Sequence, residues 1–150
     1  MIYVSGGNQS NIYLYTSKSI KIYPLDKLQN TTSGANGLVY DKNLNLGYIV
    51  GGDFTDPTNS KGNLYKFKIK NNELQFIKTK QKPYGYKSAV TIISKDEVVT
   101  CGYSGVEYSK NGGKTWQTIT NDSYNACTVT PNKKQIILVG NKGKIAKILL

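Results

Sequence analysis

The sequence predicts an all-β chain of consecutive four-stranded antiparallel sheets, about three to four blades of a partial β-propeller. Three observations carry this. Short apolar strands run into glycine at Gly6, Gly51, Gly102 and Gly140, spaced by 45, 51 and 38 residues, and propeller blades repeat at about 40–50 residues. Ahead of the last three glycines a small residue opens another apolar strand, at Gly37, Ala89 and Ala126, with separations of 14, 13 and 14 residues. No stretch combines a 3.6-residue apolar period with helix caps.

The elements follow in order. Residues 1–32 read as strands two to four of an incomplete blade, because Tyr3-Val4-Ser5-Gly6 already has the character of a second strand. Residues 33–81 read as a full blade. Its first hairpin runs from Gly37-Leu38-Val39 through Asp41-Lys42-Asn43 to Ile49-Val50-Gly51. Its third strand alternates Tyr65, Phe67 and Ile69 with Lys66, Lys68 and Lys70, the period of a half-exposed strand. Asn71-Asn72 then supplies a turn, since asparagine tolerates positive φ, and Leu74–Thr79 the outer strand. Residues 82–121 repeat the plan with Ser94-Lys95-Asp96 as first turn and Gly105 opening the third strand. Residues 122–150 supply strands one to three of a last blade, with Pro131-Asn132-Lys133 as turn and Gly143 opening its third strand. The missing blades are expected in cis or from self-association, because lone blade faces and sheet edges invite pairing.

Composition limits the chemistry. The net charge is +11, carried entirely by twenty lysines, with no arginine or histidine, and fifteen asparagines accompany them. That pairing fits a compositional bias and solvated strand faces better than a nucleic-acid surface, because arginine is the main base-reading cation. No nucleic-acid partner is expected. No apolar run is long enough to span a membrane. The first residues lack the basic and apolar regions of a signal peptide, so secretion or a periplasmic location would need an upstream signal. Cys101 and Cys127 stand 26 residues apart and fit no metal spacing. They read as buried thiols by default, and as a disulfide if their strands are neighbours in an oxidising compartment. No metal and no cofactor are expected. The Asn-x-Ser/Thr triplets at Asn8, Asn30 and Asn121 are what an asparagine-rich chain gives by chance.

One motif stands out. Ser109-Lys110-Asn111-Gly112-Gly113-Lys114-Thr115-Trp116 resembles the Asp-box, or BNR repeat, Ser-x-Asp-x-Gly-x-Thr-Trp, which in that family forms the turn between the third and fourth strands of a blade. The roles are physical: Ser109 and Asn111 accept from backbone N–H groups, Gly113 reaches left-handed φ, Thr115 supports the turn, and Trp116 pins the hairpin. Asn111 stands where the family has aspartate, which keeps an acceptor and removes the charge. More widely, Val50–Thr55, Gly85–Val90 and Gly143–Lys147 are similar to the C-terminal portion of bacterial BNR-like propellers of the sialidase-type and photosystem-assembly-type superfold. In those relatives the position of Lys87 is commonly arginine. Gly113-Lys114-Thr115 also mimics the end of a phosphate-binding loop, but Tyr108 stands where that loop needs glycine, and a strand follows instead of a helix.

Catalysis finds little support. A sialidase-like site needs an arginine cluster that this chain lacks. Asp53 and Asp56 form a carboxylate pair, which also reads as turn caps ahead of Pro57. No dinucleotide-binding glycine motif follows a strand. The expected role is a non-catalytic BNR-type propeller segment binding a protein or glycan. The alternative is the C-terminal lobe of a larger glycoside-hydrolase-like propeller whose catalytic residues lie outside this chain. Propeller geometry places the binding residues on the loops at the channel: Asp53, Tyr86, Lys87, Ser88, Tyr103 and Asn125, with Phe54, Tyr84, Ser104 and Tyr124 nearby. Tyrosine faces stack on sugars or peptides, and a lysine with small polar groups orients an anionic or polar ligand.

Overall fold

The fold is a series of short antiparallel sheets stacked face against face. A computed structural model describes residues 1–7, 9–25 and 31–150. Asn8 and Asn30 therefore lie outside the described residues, while Asn121 is exposed just after a strand.

The first sheet joins β1 (Ile2–Ser5), β2 (Asn11–Tyr15) and β3 (Ile20–Pro24). The second joins β4 (Ser33–Asp41), β5 (Leu46–Asp53), β6 (Leu64–Lys70) and β7 (Glu73–Ile77). The third joins β8 (Ala89–Ile92), β9 (Val98–Gly102), β10 (Gly105–Ser109) and β11 (Gln117–Thr120). The fourth joins β12 (Ala126–Val129), β13 (Gln135–Val139) and β14 (Ile145–Leu149). The strand pairings among the described residues are all antiparallel and between sequence neighbours, and an isolated bridge joins Gly6 to Gly34. Among the described residues the only helical turn is a 3-10 turn at Asn141–Gly143, directly ahead of β14.

The sequence pattern explains which strands sit in the middle. β5 and β9 are buried along their whole length, and both read as nearly continuous runs of apolar and small residues, as strands covered on two faces must. Leu46, Tyr48 and Val50 of β5 pack with Val90, Ile92 and Val98 of the third sheet. Ile49, on the other face, packs with Ile12 of the first sheet and Phe67. Val99 and Cys101 of β9 meet Ile136 and Leu138 of the fourth. Three apolar layers thus separate the four sheets. The first and fourth sheets alternate instead, with Tyr3, Tyr15, Ile20 and Ile22 exposed on one outer face and Val139, Ile145 and Leu149 exposed on the other.

The innermost strands β4, β8 and β12 lie against one another in series, while β7 and β11 stand at the rim. Main-chain bonds fasten consecutive sheets at this hub. The Lys87 N–H donates to the Gly51 carbonyl at 2.9 Å, and the Tyr124 N–H donates to the Gly102 carbonyl at 3.2 Å. Glycine is required at both joints by space rather than φ. A Cβ on Gly51 would lie 1.8 Å from the Gly34 oxygen, and one on Gly102 would lie 2.2 Å from the Tyr86 oxygen.

One detail departs from the sequence reading and another follows it. β4 starts at Ser33 rather than Gly37, with a bulge between Ala35 and Gly37. The segment Ser33-Gly34-Ala35-Asn36 has no apolar alternation to announce a strand; its pairing with Gly51, Gly52 and Asp53 comes from the partner. The Asn71-Asn72 turn takes φ values of 53° and 58°, as asparagine tolerance suggests.

Candidate functional site

One end of the second to fourth sheets is a continuous loop surface knitted by side chain–backbone hydrogen bonds. The β5–β6 loop meets the β7–β8 loop through Tyr86 N–H to the Pro57 carbonyl at 2.9 Å and Gly85 N–H to Ser60 Oγ at 2.8 Å. Asn63, which is fully buried, donates from Nδ2 to the carbonyls of Pro83 and Gly85, each at 2.6 Å. The β9–β10 turn joins the same cluster, because Ser104 Oγ bonds the Tyr84 and Tyr86 carbonyls at 2.7 and 2.9 Å. Gly85, at φ +66°, leaves no room for a Cβ beside Pro57 and Ser104.

The six candidate residues divide by environment. Asp53 is buried and accepts from Thr32 Oγ1 at 2.8 Å, Thr55 N–H at 2.9 Å and Thr55 Oγ1 at 2.7 Å, so its carboxylate organises its own turn. Asp56 caps a neighbouring turn through Thr58 and Asn59. Tyr86 is buried with its ring 5.2 Å from that of Tyr103, and burial raises its phenol pKa. Ser88 Oγ reaches the carbonyls of Cys101 and Tyr124, both at 3.2 Å. Asn125 is exposed and donates to Asn141 Oδ1 at 2.6 Å. Tyr103 is 46% exposed.

Lys87 has no accessible surface at all. Its ammonium lies 3.0 Å from Glu107 Oε2 and 3.2 Å from the Gly105 carbonyl. Burial pulls its pKa below the ordinary lysine value, against the opposing pull of Glu107. Glu107, itself buried, also accepts from the Tyr84 N–H at 2.7 Å. Sequence reasoning missed this partner. Its only signal is a carboxylate in the middle of an otherwise apolar strand, Gly105-Val106-Glu107.

What faces solvent over this scaffold is aromatic. Phe54 is 48% exposed, Tyr84 54% and Tyr103 46%, each on a different loop of the cluster. The clefts between sheets lie elsewhere. One of about 380 Å³ opens between the rims of the third and fourth sheets near Tyr108, Ile119 and Ile148.

The Asp-box-like turn sits between β10 and β11 on a different part of the third sheet. Ser109 Oγ accepts from Gly113 N–H at 2.8 Å. Asn111 Oδ1 accepts from the N–H groups of Lys114 and Thr115 at 3.1 and 2.9 Å, and its Nδ2 donates to Thr115 Oγ1 at 2.8 Å. Gly112 and Gly113 take φ of 67° and 80°. Trp116 leaves the turn to pack in the layer containing Tyr48, and Lys66 of β6 donates to the Gly112 carbonyl at 2.6 Å. The turn therefore clips the third sheet onto the second.

No family model and no curated protein matches the chain. Solved structures do. The nidogen/laminin complex contains a chain that superposes over 99% of this one and 57% of its own length, with TM-score 0.63 and 11% identity. A gluconolactonase from Xanthomonas campestris superposes over 95% of this chain and 45% of its own, with TM-score 0.62 and 13% identity. The fold is of the β-propeller type. The chain spans about half the length of these structures, and at such identities the likeness speaks for architecture alone.

Proposed function

We propose that this chain is a non-catalytic, BNR-type β-propeller segment that binds a protein or glycan through its loop surface. The observation that carries the reading is the triad of exposed aromatics, Phe54, Tyr84 and Tyr103, on loops made rigid by buried polar groups. Large aromatic faces held at low conformational cost are what sugar and peptide recognition uses. In this reading Tyr103 and Asn125 touch the ligand, while Asp53, Tyr86, Lys87 and Ser88 hold the loops. The BNR assignment draws on the hydrogen-bond pattern of Ser109, Asn111 and Thr115 and on the packing of Trp116. A glycan array and a peptide array probed with wild-type protein and with the Phe54→Ala/Tyr84→Ala/Tyr103→Ala variant test it. At least a tenfold loss of signal is expected, and equal binding by both proteins overturns the loop surface as the site.

The four sheets are proposed as successive blades spanning 1–32, 33–81, 82–121 and 122–150. The apolar outer faces at Tyr3, Ile20 and Ile22 and at Ile145 and Leu149 support further blades against them, in cis or from a second copy. Sedimentation of the chain reads this out, and a monomer that stays soluble at high concentration counts against it. The second reading, a lobe of a larger propeller enzyme with catalytic residues outside this chain, draws on the fold shared with the gluconolactonase.

A further inference from the structure

Cys101 and Cys127 belong to different sheets yet meet in one apolar layer. Cys101, on β9, is fully buried in the cluster between the third and fourth sheets, and Cys127, on β12, packs half-buried against it. The Cys127 Sγ lies 4.0 Å from the Val99 carbonyl, and Val99 and Cys101 project from the same face of β9 into that layer. The joint at Gly102 and Tyr124 fixes the register of this seam from one side. β12 runs close beside β9 along this seam, so the two thiols enter the layer from facing strands.

We propose that Cys101 and Cys127 form a reversible disulfide that covalently staples the third sheet to the fourth, made by exchange with a small-molecule disulfide. Access sets the order of events. Only Cys127 has exposed surface, so it exchanges first: its sulfur attacks the small disulfide, forms a mixed disulfide and releases one small thiol. The Cys101 thiolate then attacks the Cys127 sulfur, forms the Cys101–Cys127 bond and expels the second small thiol. The two protons lost by the cysteines leave on the two released thiols, and the small disulfide is the species reduced. The site suits Cys101 to the resolving role. Once Cys127 is held in the mixed disulfide and can no longer donate to Cys101, the Lys87 ammonium still favours the Cys101 thiolate. The closed loop would enclose β10, the Asn111 turn and β11, so the staple would brace the clip between the second and third sheets as well.

The test incubates the purified chain with oxidised glutathione, unfolds it in denaturant, alkylates remaining thiols and reads intact mass and a non-reducing gel. The wild type is expected to lose two hydrogens, take no alkylating agent and migrate as a single chain. The oxidised form should melt higher by roughly 5–10 °C, from the lost freedom of the unfolded chain. Cys101→Ser should trap one glutathione on Cys127, and Cys127→Ser should take none while folded. Retention of two alkylatable thiols by the wild type, a stable glutathione adduct without closure, or a cross-linked dimer overturns the proposal. The wild-type result decides the matter even if a serine variant fails to fold.

Discussion

Lys87 and Glu107 form a buried ion pair at 3.0 Å, with Lys87 wholly enclosed and the Glu107 side chain 6% exposed. Taking two charges out of water is expensive, and the pair repays it through its extra bonds to the Gly105 carbonyl and the Tyr84 N–H. Removing one partner strands the other. Glu107→Ala should therefore cost about 3–5 kcal/mol of stability, read by urea unfolding. The double variant Lys87→Met/Glu107→Leu should recover most of that loss, because an apolar pair of similar volume leaves no buried charge. A double variant as unstable as the single one would show that the ion pair is not the source of the cost.

Tyr48 gives the chain an alkaline limit. Its ring is buried in the layer between the second and third sheets, its hydroxyl has no hydrogen-bond partner among the described residues, and burial pushes its pKa up to about 12 from 10.0. The unfolded chain releases this proton near pH 10 while the folded chain still holds it, so folding is favoured by this group below pH 10 and loses that contribution between pH 10 and about 12. Tyr48→Phe should flatten the fall in stability across that window and leave stability at pH 7 equal or higher. Parallel pH profiles for the two proteins would refute the assignment.

The Asn111 turn separates shape from charge. Asn111→Ala removes the acceptor for the Lys114 and Thr115 N–H groups and should cost about 1–2 kcal/mol. Asn111→Asp restores an acceptor of the same shape and should stay within about 0.5 kcal/mol of wild type. Thermal unfolding of the two variants distinguishes them, and equal losses would mean that the oxygen is not what holds the turn.

Two glycines make a matched contrast. Gly102→Ala places a methyl 2.2 Å from the Tyr86 oxygen and 2.7 Å from the Lys87 Cα, so main chain must move; a loss of about 3 kcal/mol or more is expected. At Gly143, φ is +74° and nothing lies within 4 Å of the added carbon, so alanine there should cost roughly 1–2 kcal/mol from conformation alone. If Gly143→Ala proves the worse of the two in denaturant melts, close packing at the hub is not what fixes Gly102.

The all-β architecture was legible because the signals behind it are local. A strand covered on both faces must be apolar throughout, as β5 and β9 are, and asparagine at positive φ marks the β6–β7 turn. The first half of β4 was not legible, since glycine and alanine there pair only because Gly51 and Gly52 lie opposite. The environment of Lys87 was hidden for a similar reason. Its partner is twenty residues away on another element, and a lysine between a tyrosine and a serine in a loop looks like a solvent-facing cation. The exposed aromatics were visible as residue types, but which tyrosines face outward depends on Asn63 and Ser104, whose bonds no spacing rule foretells.

The fastening of one sheet to the next at Gly51–Lys87 and at Gly102–Tyr124 has a consequence for which substitutions the chain tolerates. Each link is made of a peptide N–H and a peptide oxygen, so the donor residue is free to be lysine in one copy and tyrosine in the other. Only the acceptor glycine is held to its identity. A hinge line written in main-chain atoms leaves the donor side chains unconstrained, so successive sheets can differ in sequence and still keep the same joint.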